Sequence, residues 1–231
     1  MSEGFSFQRF TIRHDRCAMK IGTDGVLLGA WARVGGRMLD IGTGSGLIAL
    51  MLAQRHPHSL VEGVELDADA AVQARQNVEA SPFASRVRVF ESSFQAFGPS
   101  GGYDAIVSNP PFFLHSHPTP DVSRTTARHA ETVFFKDFFA FVRRWLLDSG
   151  ETSIIVPWEN ADPIAAEAYL AGLFLTRHVA VRTKRDKPLE RCLLAFGKRR
   201  LAPPELGEVC LLDDDGSRGP WYRAITGAFY R

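Results

Sequence analysis

Three glycines at every second position, Gly42, Gly44 and Gly46, fall within the run Asp40-Ile41-Gly42-Thr43-Gly44-Ser45-Gly46. Glycine permits a sharp turn and brings bare backbone close to a ligand, and a helix starting just after the run would aim its N-terminal amides into the same space. A dinucleotide site expects the third glycine one residue later, in GxGxxG, so this spacing argues against a pyrophosphate ligand. Glu65 lies 19 residues beyond Gly46 at the end of a second apolar run, where an acid can accept hydrogen bonds from both hydroxyls of a ribose. Taken alone, the glycines are also compatible with a turn that merely lets a strand and a helix pack closely.

A second constellation is Ser108-Asn109-Pro110-Pro111-Phe112. Two prolines in a row fix φ and remove two amide donors, which leaves the carbonyl of Pro110 available to an incoming group. Asn109 adds a side-chain oxygen beside it. Two such acceptors hold both hydrogens of a planar amino group and direct its lone pair at an electrophilic carbon in the same cleft. Phe112 offers a face for stacking a base. The bland alternative is a proline-stiffened surface loop. An exocyclic amine loses its proton after attack, so the scheme demands no strong general base. Nor does it need a metal; His115 and His117 stand two apart on a loop without a cysteine or acid cluster, and no metal site is expected.

These residues need strand tips to carry them. Arg37 to Ile41 reads as a strand leading into the glycine loop, followed by a helix from Leu47; Leu60 to Val64 is a second strand, followed by a helix over Asp67 to Ala80. Further strands are expected at Val87 to Phe90, Tyr103 to Val107 and Thr152 to Val156. A helix is expected over Val133 to Leu147, its phenylalanines Phe134, Phe135, Phe138, Phe139 and Phe141 facing the sheet. Strand–helix alternation implies parallel pairing with right-handed crossovers and an α/β sheet. Phe174 to Thr183 and Arg191 to Phe196 have no helix between them and read as an antiparallel pair at one sheet edge. Ahead of the glycines, Phe5 to Ile12 suits a strand or small hairpin and Asp24 to Ala32 a short helix. Residues 1–35 are therefore expected to form an extension packed on the core of a single domain spanning 1–231.

Composition bounds the rest. The chain of 231 residues is 45% apolar and 23% charged, an ordinary soluble balance, and it holds no run of the roughly 20 apolar residues a membrane span needs. The first ten residues lack the apolar stretch of a secretory signal. The three cysteines (Cys17, Cys192, Cys210) are odd in number and far apart, which favours a reducing compartment, the cytoplasm, over a disulfide framework. Net charge is +1, yet Arg177 to Arg200 carries nine cations against Asp186 and Glu190. That segment reads either as a phosphate-facing surface or as a solvated face balanced by the acids of Leu201 to Ser217.

The glycine loop followed by Glu65 resembles the cofactor site of class I S-adenosylmethionine-dependent methyltransferases, and Asn109-Pro110-Pro111-Phe112 resembles the motif of those that methylate amino nitrogens. The run from Phe7 to Trp31, with Val64-Glu65-Leu66-Asp67, Ser81-Pro82, Ile106 to Phe112 and Leu193 to Phe196, is similar to the bacterial valine-tRNA adenosine N6-methyltransferases over most of the chain. The resemblance implies a Rossmann-like fold: a seven-stranded, mostly parallel sheet with an antiparallel edge hairpin and helices on both faces. It implies S-adenosylmethionine as cofactor, held by Lys20, Thr23, Asp40, Gly42, Gly44, Gly46, Glu65, Leu66, Ser93 and Asn109. Asn109, Pro110, Pro111 and Phe112 would be the catalytic set. Thr23 and Asp24 are equally readable as cofactor contacts or as the start of a helix, where Asp24 would cap; Ser93 or Glu91 would read the adenine edge.

The implied substrate is adenosine 37 in the anticodon arm of a tRNA, a base that is cheaper to unstack in a loop than in a duplex. Arg177 to Arg200 and a flap, Phe113 to Ala130 with Arg124, Arg128 and His129, would meet its phosphates; Phe113 to Ala130 reads equally as a disordered surface loop. A guanine-N2 or protein-glutamine methyltransferase using the same loop, and a non-catalytic cofactor-binding RNA subunit, are the rival readings. The 39 residues before the glycine motif leave no room for the helical domain of the glutamine enzymes, and intact Asn109 and prolines argue against a non-catalytic subunit. A monomer and a homodimer are equally compatible with the sequence.

Overall fold

The computed structural model describes residues 4–17, 20–110, 124–200 and 203–230, with 124–131 described as backbone. In chain order the elements are β1 (Gly4–Ser6), β2 (Thr11–Arg13), α1 (Thr23–Trp31), β3 (Arg37–Ile41), α2 (Leu47–Arg55), β4 (Leu60–Glu65), α3 (Ala68–Glu79), β5 (Val87–Glu91) and β6 (Tyr103–Ser108). After them come α4 (Arg124–Trp145), β7 (Leu146–Pro157), a 3-10 turn at Trp158–Asn160, α5 (Ala161–Leu170), β8 (Phe174–Arg182), β9 (Leu189–Gly197), β10 (Glu205–Cys210) and α6 (Pro220–Thr226).

The main sheet has eight strands in the order β10-β8-β9-β7-β6-β3-β4-β5. Of these only β9 runs against the rest: it pairs antiparallel with both β7 and β8, while every other neighbouring pair is parallel. The Rossmann-like class is as expected, with two corrections. The sheet gains an eighth strand, and the β8–β9 hairpin is not at the edge, because β10 adds in parallel beyond β8. Neither β10 nor α5 was among the expected elements. The acids Glu205 and Glu208 make β10 read as a solvated segment, and the strand's burial pattern is indeed mostly exposed.

Successive strand residues point to opposite faces, and the buried strand residues divide accordingly. Met38, Val107 and Leu193 join Leu27, Leu28, Leu50 and Met51 of α1 and α2 in one cluster. Leu39, Ile106, Ile154, Leu194 and Phe196 join Phe135, Phe138, Phe139 and Val142 of α4 and Ile164 of α5 in the other. Each fully buried aromatic or aliphatic side chain of this kind contributes about 1.5–3 kcal/mol. Continuous apolar runs such as Ile154–Val156 are what a strand covered on both faces requires.

The N-terminal residues form the small hairpin allowed by the sequence, β1 against β2, separate from the main sheet. Phe7, Phe10 and Ile12 pack into the cluster of α1 and α2, and the amide of Gln8 donates to the carbonyl of Phe229 at 2.8 Å, joining the two ends of the chain.

Register aligns the strand tips. Ile41 lies opposite both Val64 of β4 and Ser108 of β6, and Ser108 lies opposite Ile154 of β7. Gly42, Glu65 and Asn109, the residues that follow these tips, therefore emerge side by side at one edge of the sheet. Because β9 is reversed, its first residues reach that same edge: Arg191 is opposite Pro157.

Candidate active site

The loop after β3 turns on glycine. Gly42, Gly44 and Gly46 have φ of 70°, 55° and 82°, a region that costs other L-residues roughly 1–2 kcal/mol. A Cβ on Gly42 or Gly44 would meet no protein atom within 4 Å. The glycines there serve the backbone path and leave the space above it open. The loop is fastened to its neighbours: the amides of Gly42 and Thr43 donate to the carbonyl of Val64 at 2.8 and 3.1 Å, and the amide of Gly46 to the carbonyl of Thr43 at 2.8 Å.

Asp40 lies beneath the loop, fully buried. Its Oδ2 accepts from the Thr43 hydroxyl at 2.6 Å and the Ala49 amide at 3.1 Å, while Oδ1 has no partner. Burial raises its pKa to about 7, with nearby Glu65 adding to the rise and the two hydrogen bonds opposing it.

Glu65 is held by backbone. Oε2 accepts from the Gly44 amide at 2.8 Å and Oε1 from the Asp67 amide at 3.0 Å. An ionised carboxylate offers about four acceptor sites, so each oxygen keeps capacity for a further donor. Asp67 caps α3, its Oδ1 accepting from the Ala70 amide at 2.8 Å.

A cavity of about 690 Å³ opens over these residues. Its floor is Gly42, Thr43, Gly44 and Ser45; Glu65, Asp67 and Ala70 close one end, Lys20 to Gly25 one wall, and Val181 to Thr183 with Glu190 and Arg191 the other, while Asn109 reaches it from the tip of β6. The Ser108 hydroxyl donates to the carbonyl of Ile41 at 2.9 Å, locking the tips of β6 and β3 together. Asn109 Oδ1 is buried and, among the described residues, without a hydrogen-bond partner. Leaving a buried acceptor unmade costs on the order of 1–3 kcal/mol, a cost that an incoming donor removes. Pro110 is buried beside it; Pro111 and Phe112 lie outside the described residues, as do 113–123 of the expected flap and the side chains of Arg124, Arg128 and His129, while the backbone from Arg124 on is not loop, as expected, but the start of α4.

Of the expected cofactor residues, Lys20, Thr23, Gly42, Gly44, Glu65 and Asn109 line this one cavity. Thr23 opens α1, whose cap residue is Gly22 without a side-chain cap. Asp24 caps nothing; it forms an ion pair with Arg191 Nε at 2.8 Å. Four others do not line it, each for a local reason. Asp40 supports the loop from below, Gly46 is spent on entering α2, with its Cβ position 3.5 Å from Ala74, and Leu66 is 74% exposed. Ser93 accepts from the Ala96 amide at 3.2 Å and closes its own turn. Glu91 pairs with Arg75 at 3.7 Å.

Several lining residues went unforeseen. Cys17, whose thiol is pushed up to about 11 chiefly by burial, and the Val181–Thr183 and Arg191 wall reach the cavity only through tertiary packing. Gly63 on β4, also unforeseen, does not line the cavity but backs it: a Cβ there would lie 3.0 Å from Thr43. Among the described residues no group of three or more His, Cys, Asp or Glu side chains is arranged to hold a metal, and no helix is long and apolar enough to cross a membrane.

The site thus offers hydroxyl acceptors at one end, bare backbone in the middle and an unpaired amide oxygen at the lip. That set of acceptors fits a nucleoside-bearing cofactor at Glu65 and an amino group at Asn109.

Known proteins agree with the fold. Residues 19–142 match the family described as methyltransferase small domain. The tRNA1(Val) (adenine(37)-N6)-methyltransferase of Aeromonas hydrophila is 45% identical, over 99% of this chain and 98% of its own. Among solved structures, a predicted O-methyltransferase from Agrobacterium tumefaciens superposes with a TM-score of 0.66 at 18% identity, covering 90% of this chain and 98% of that one. The glycopeptide N-methyltransferase MtfA, solved with S-adenosylmethionine, gives 0.57 at 12% identity over 78% of this chain and 89% of its own.

Proposed function

Because the chain belongs to the tRNA1(Val) (adenine(37)-N6)-methyltransferase family, we propose that it transfers the methyl group of S-adenosylmethionine to N6 of adenosine 37 in the anticodon arm of valine tRNA. S-adenosylmethionine supplies a methyl group activated on a sulfonium, whose C–S bond breaks toward sulfur as the new N–C bond forms.

The chain's own residues bind and align. Glu65, fixed by two amides, accepts the ribose hydroxyls; Gly42 and Gly44 let the ligand rest on backbone; Lys20 and Thr23 close the wall above. Asn109 Oδ1 and the Pro110 carbonyl take the two hydrogens of the adenine amino group, which turns the nitrogen lone pair toward the cavity. After attack the surplus proton leaves to solvent, so no side chain is assigned as base. Pro111 and Phe112 complete this loop, Phe112 as the face against which the flipped base stacks. Asp40 acts from beneath, as a positioning residue for the loop. A tRNA substrate assigns the enzyme to the cytoplasm.

One observation carries this reading: Asn109, whose buried Oδ1 has no hydrogen-bond partner among the described residues, lines the same cavity as Glu65 and the glycine loop. The test supplies labelled S-adenosylmethionine and tRNA from a strain lacking the gene, then digests to nucleosides. Label in N6-methyladenosine is expected; label in N2-methylguanosine, in protein or nowhere would overturn the assignment.

A further inference from the structure

The run from Arg177 to Arg200 is the obvious place to look for phosphate contacts, but the fold consumes most of it. Six of its nine cations lie within 4 Å of a carboxylate: Arg177 with Glu151, Arg182 with Glu208, Lys187 with Asp186, Arg191 with Asp24, and Lys198 and Arg199 with Asp148. Lys184 donates to the carbonyl of Asp214 at 3.4 Å. Strand direction divides the set as well. Arg177, in the first half of β8, and Lys198 and Arg199, just past the end of β9, lie toward the end of the sheet away from the cavity.

The N-terminal arm differs. From Gln8 to Lys20 it carries Arg9, Arg13, Arg16 and Lys20 against a single acid, Asp15. All four cations are exposed, and among the described residues none forms an ion pair. The arm is fastened by backbone. The Arg13 amide donates to Asn77 Oδ1 at 2.9 Å, Asn77 Nδ2 returns a bond to the Arg13 carbonyl at 2.8 Å, and the Arg16 amide donates to Gln73 Oε1 at 3.3 Å. The arginine side chains are not needed to hold it. Arg13 and Arg16 instead line an open polar groove of about 490 Å³ between the arm and α3; Asp15 and Glu79 share the groove without coming within 4 Å of either guanidinium. The arm climbs along α3 from Asn77 past Gln73 and ends at Lys20, on the wall of the cofactor cavity.

We infer that this arm is the RNA-docking surface: Arg13 and Arg16, with Arg9 beyond them, bind phosphates of the strand next to the target nucleotide, and the β8–β9 cations serve chiefly to hold the fold. Among the described residues the Arg13 and Arg16 guanidiniums have no ion-pair partner to give up when a phosphate arrives, whereas Arg182 and Arg191 would have to leave theirs. The inference rests on the proposed tRNA substrate.

The test measures binding of an unmodified valine tRNA by fluorescence anisotropy across a KCl series, with S-adenosylhomocysteine binding followed by calorimetry in parallel. R13Q/R16Q is expected to weaken tRNA binding about tenfold and to flatten the slope of log K against log salt by about 1.4, two phosphate contacts at about 0.7 each. Calorimetry should read wild-type values, and K184Q/R185Q should change tRNA affinity less than about twofold. An R13Q/R16Q protein with wild-type tRNA affinity and slope overturns the inference and leaves the methyltransferase reading intact. Parallel loss of S-adenosylhomocysteine binding also overturns it, by making the arm a structural brace. Wild-type protein that binds no tRNA removes the reading on which it stands.

Discussion

The two ends of the cavity are built on opposite plans. At the Glu65 end the carboxylate is already held in place by the amides of Gly44 and Asp67, and the glycine loop is tied to β4 before any ligand arrives. At the Asn109 end an amide oxygen is buried with no hydrogen-bond partner among the described residues. The first plan favours binding, because little has to be ordered when the ligand enters. The second favours the reacting geometry, because the acceptor is satisfied only when an amino group sits where its nitrogen can attack.

Substitutions at the two ends should therefore separate transfer from binding. The largest effect is expected from Asn109→Ala, with single-turnover methyl transfer falling by about 10²–10³, the scale seen when one preorganised hydrogen-bonding group is removed. Calorimetric binding of S-adenosylhomocysteine should stay within about twofold, and loss of both together would break the comparison. Glu65→Gln should do the reverse. Removing a charged acceptor worth about 1.5–3 kcal/mol raises the dissociation constant by about 10–100-fold, with transfer at saturating cofactor close to wild type.

Gly44→Ala comes next, weakening cofactor binding by about tenfold through the strained positive φ and a methyl group projecting into open space. Asp40 sharpens the contrast most gently. Its pKa rises from 3.8 to about 7 on folding, so across that window the folded protein keeps a proton that the unfolded chain has released. Stability should thus decline as pH rises from about 4 to 7, read as a falling urea midpoint. Asp40→Asn should abolish the decline, and an unchanged pH profile in that variant would deny Asp40 its place beneath the loop.

Much of the site was legible because its chemistry is local. Gly42, Gly44 and Asn109 announce themselves through neighbours a few residues away, and Glu65 through its place at a strand end. The alternating burial that makes the strands is likewise local, and Phe135, Phe138 and Phe139 face the sheet as their spacing suggests. What escaped depends on lateral neighbours. Whether β8–β9 is an edge is decided by β10, a strand of six residues with polar, exposed faces. Whether Arg182 or Arg191 is available to a ligand is decided by Glu208 and Asp24, more than 20 positions away in the chain. Ser93 has the right strand-end position, but its hydroxyl closes a turn four residues long.

The close approach of Gly63 to Thr43 reaches further than one contact. Any side chain at position 63 would press on the threonine that hydrogen-bonds Asp40, and so disturb the glycine turn from a neighbouring strand. Mutational libraries aimed at altered cofactor preference should keep that position fixed, and pattern searches for this loop should add Gly63 to the three glycines of the linear signature.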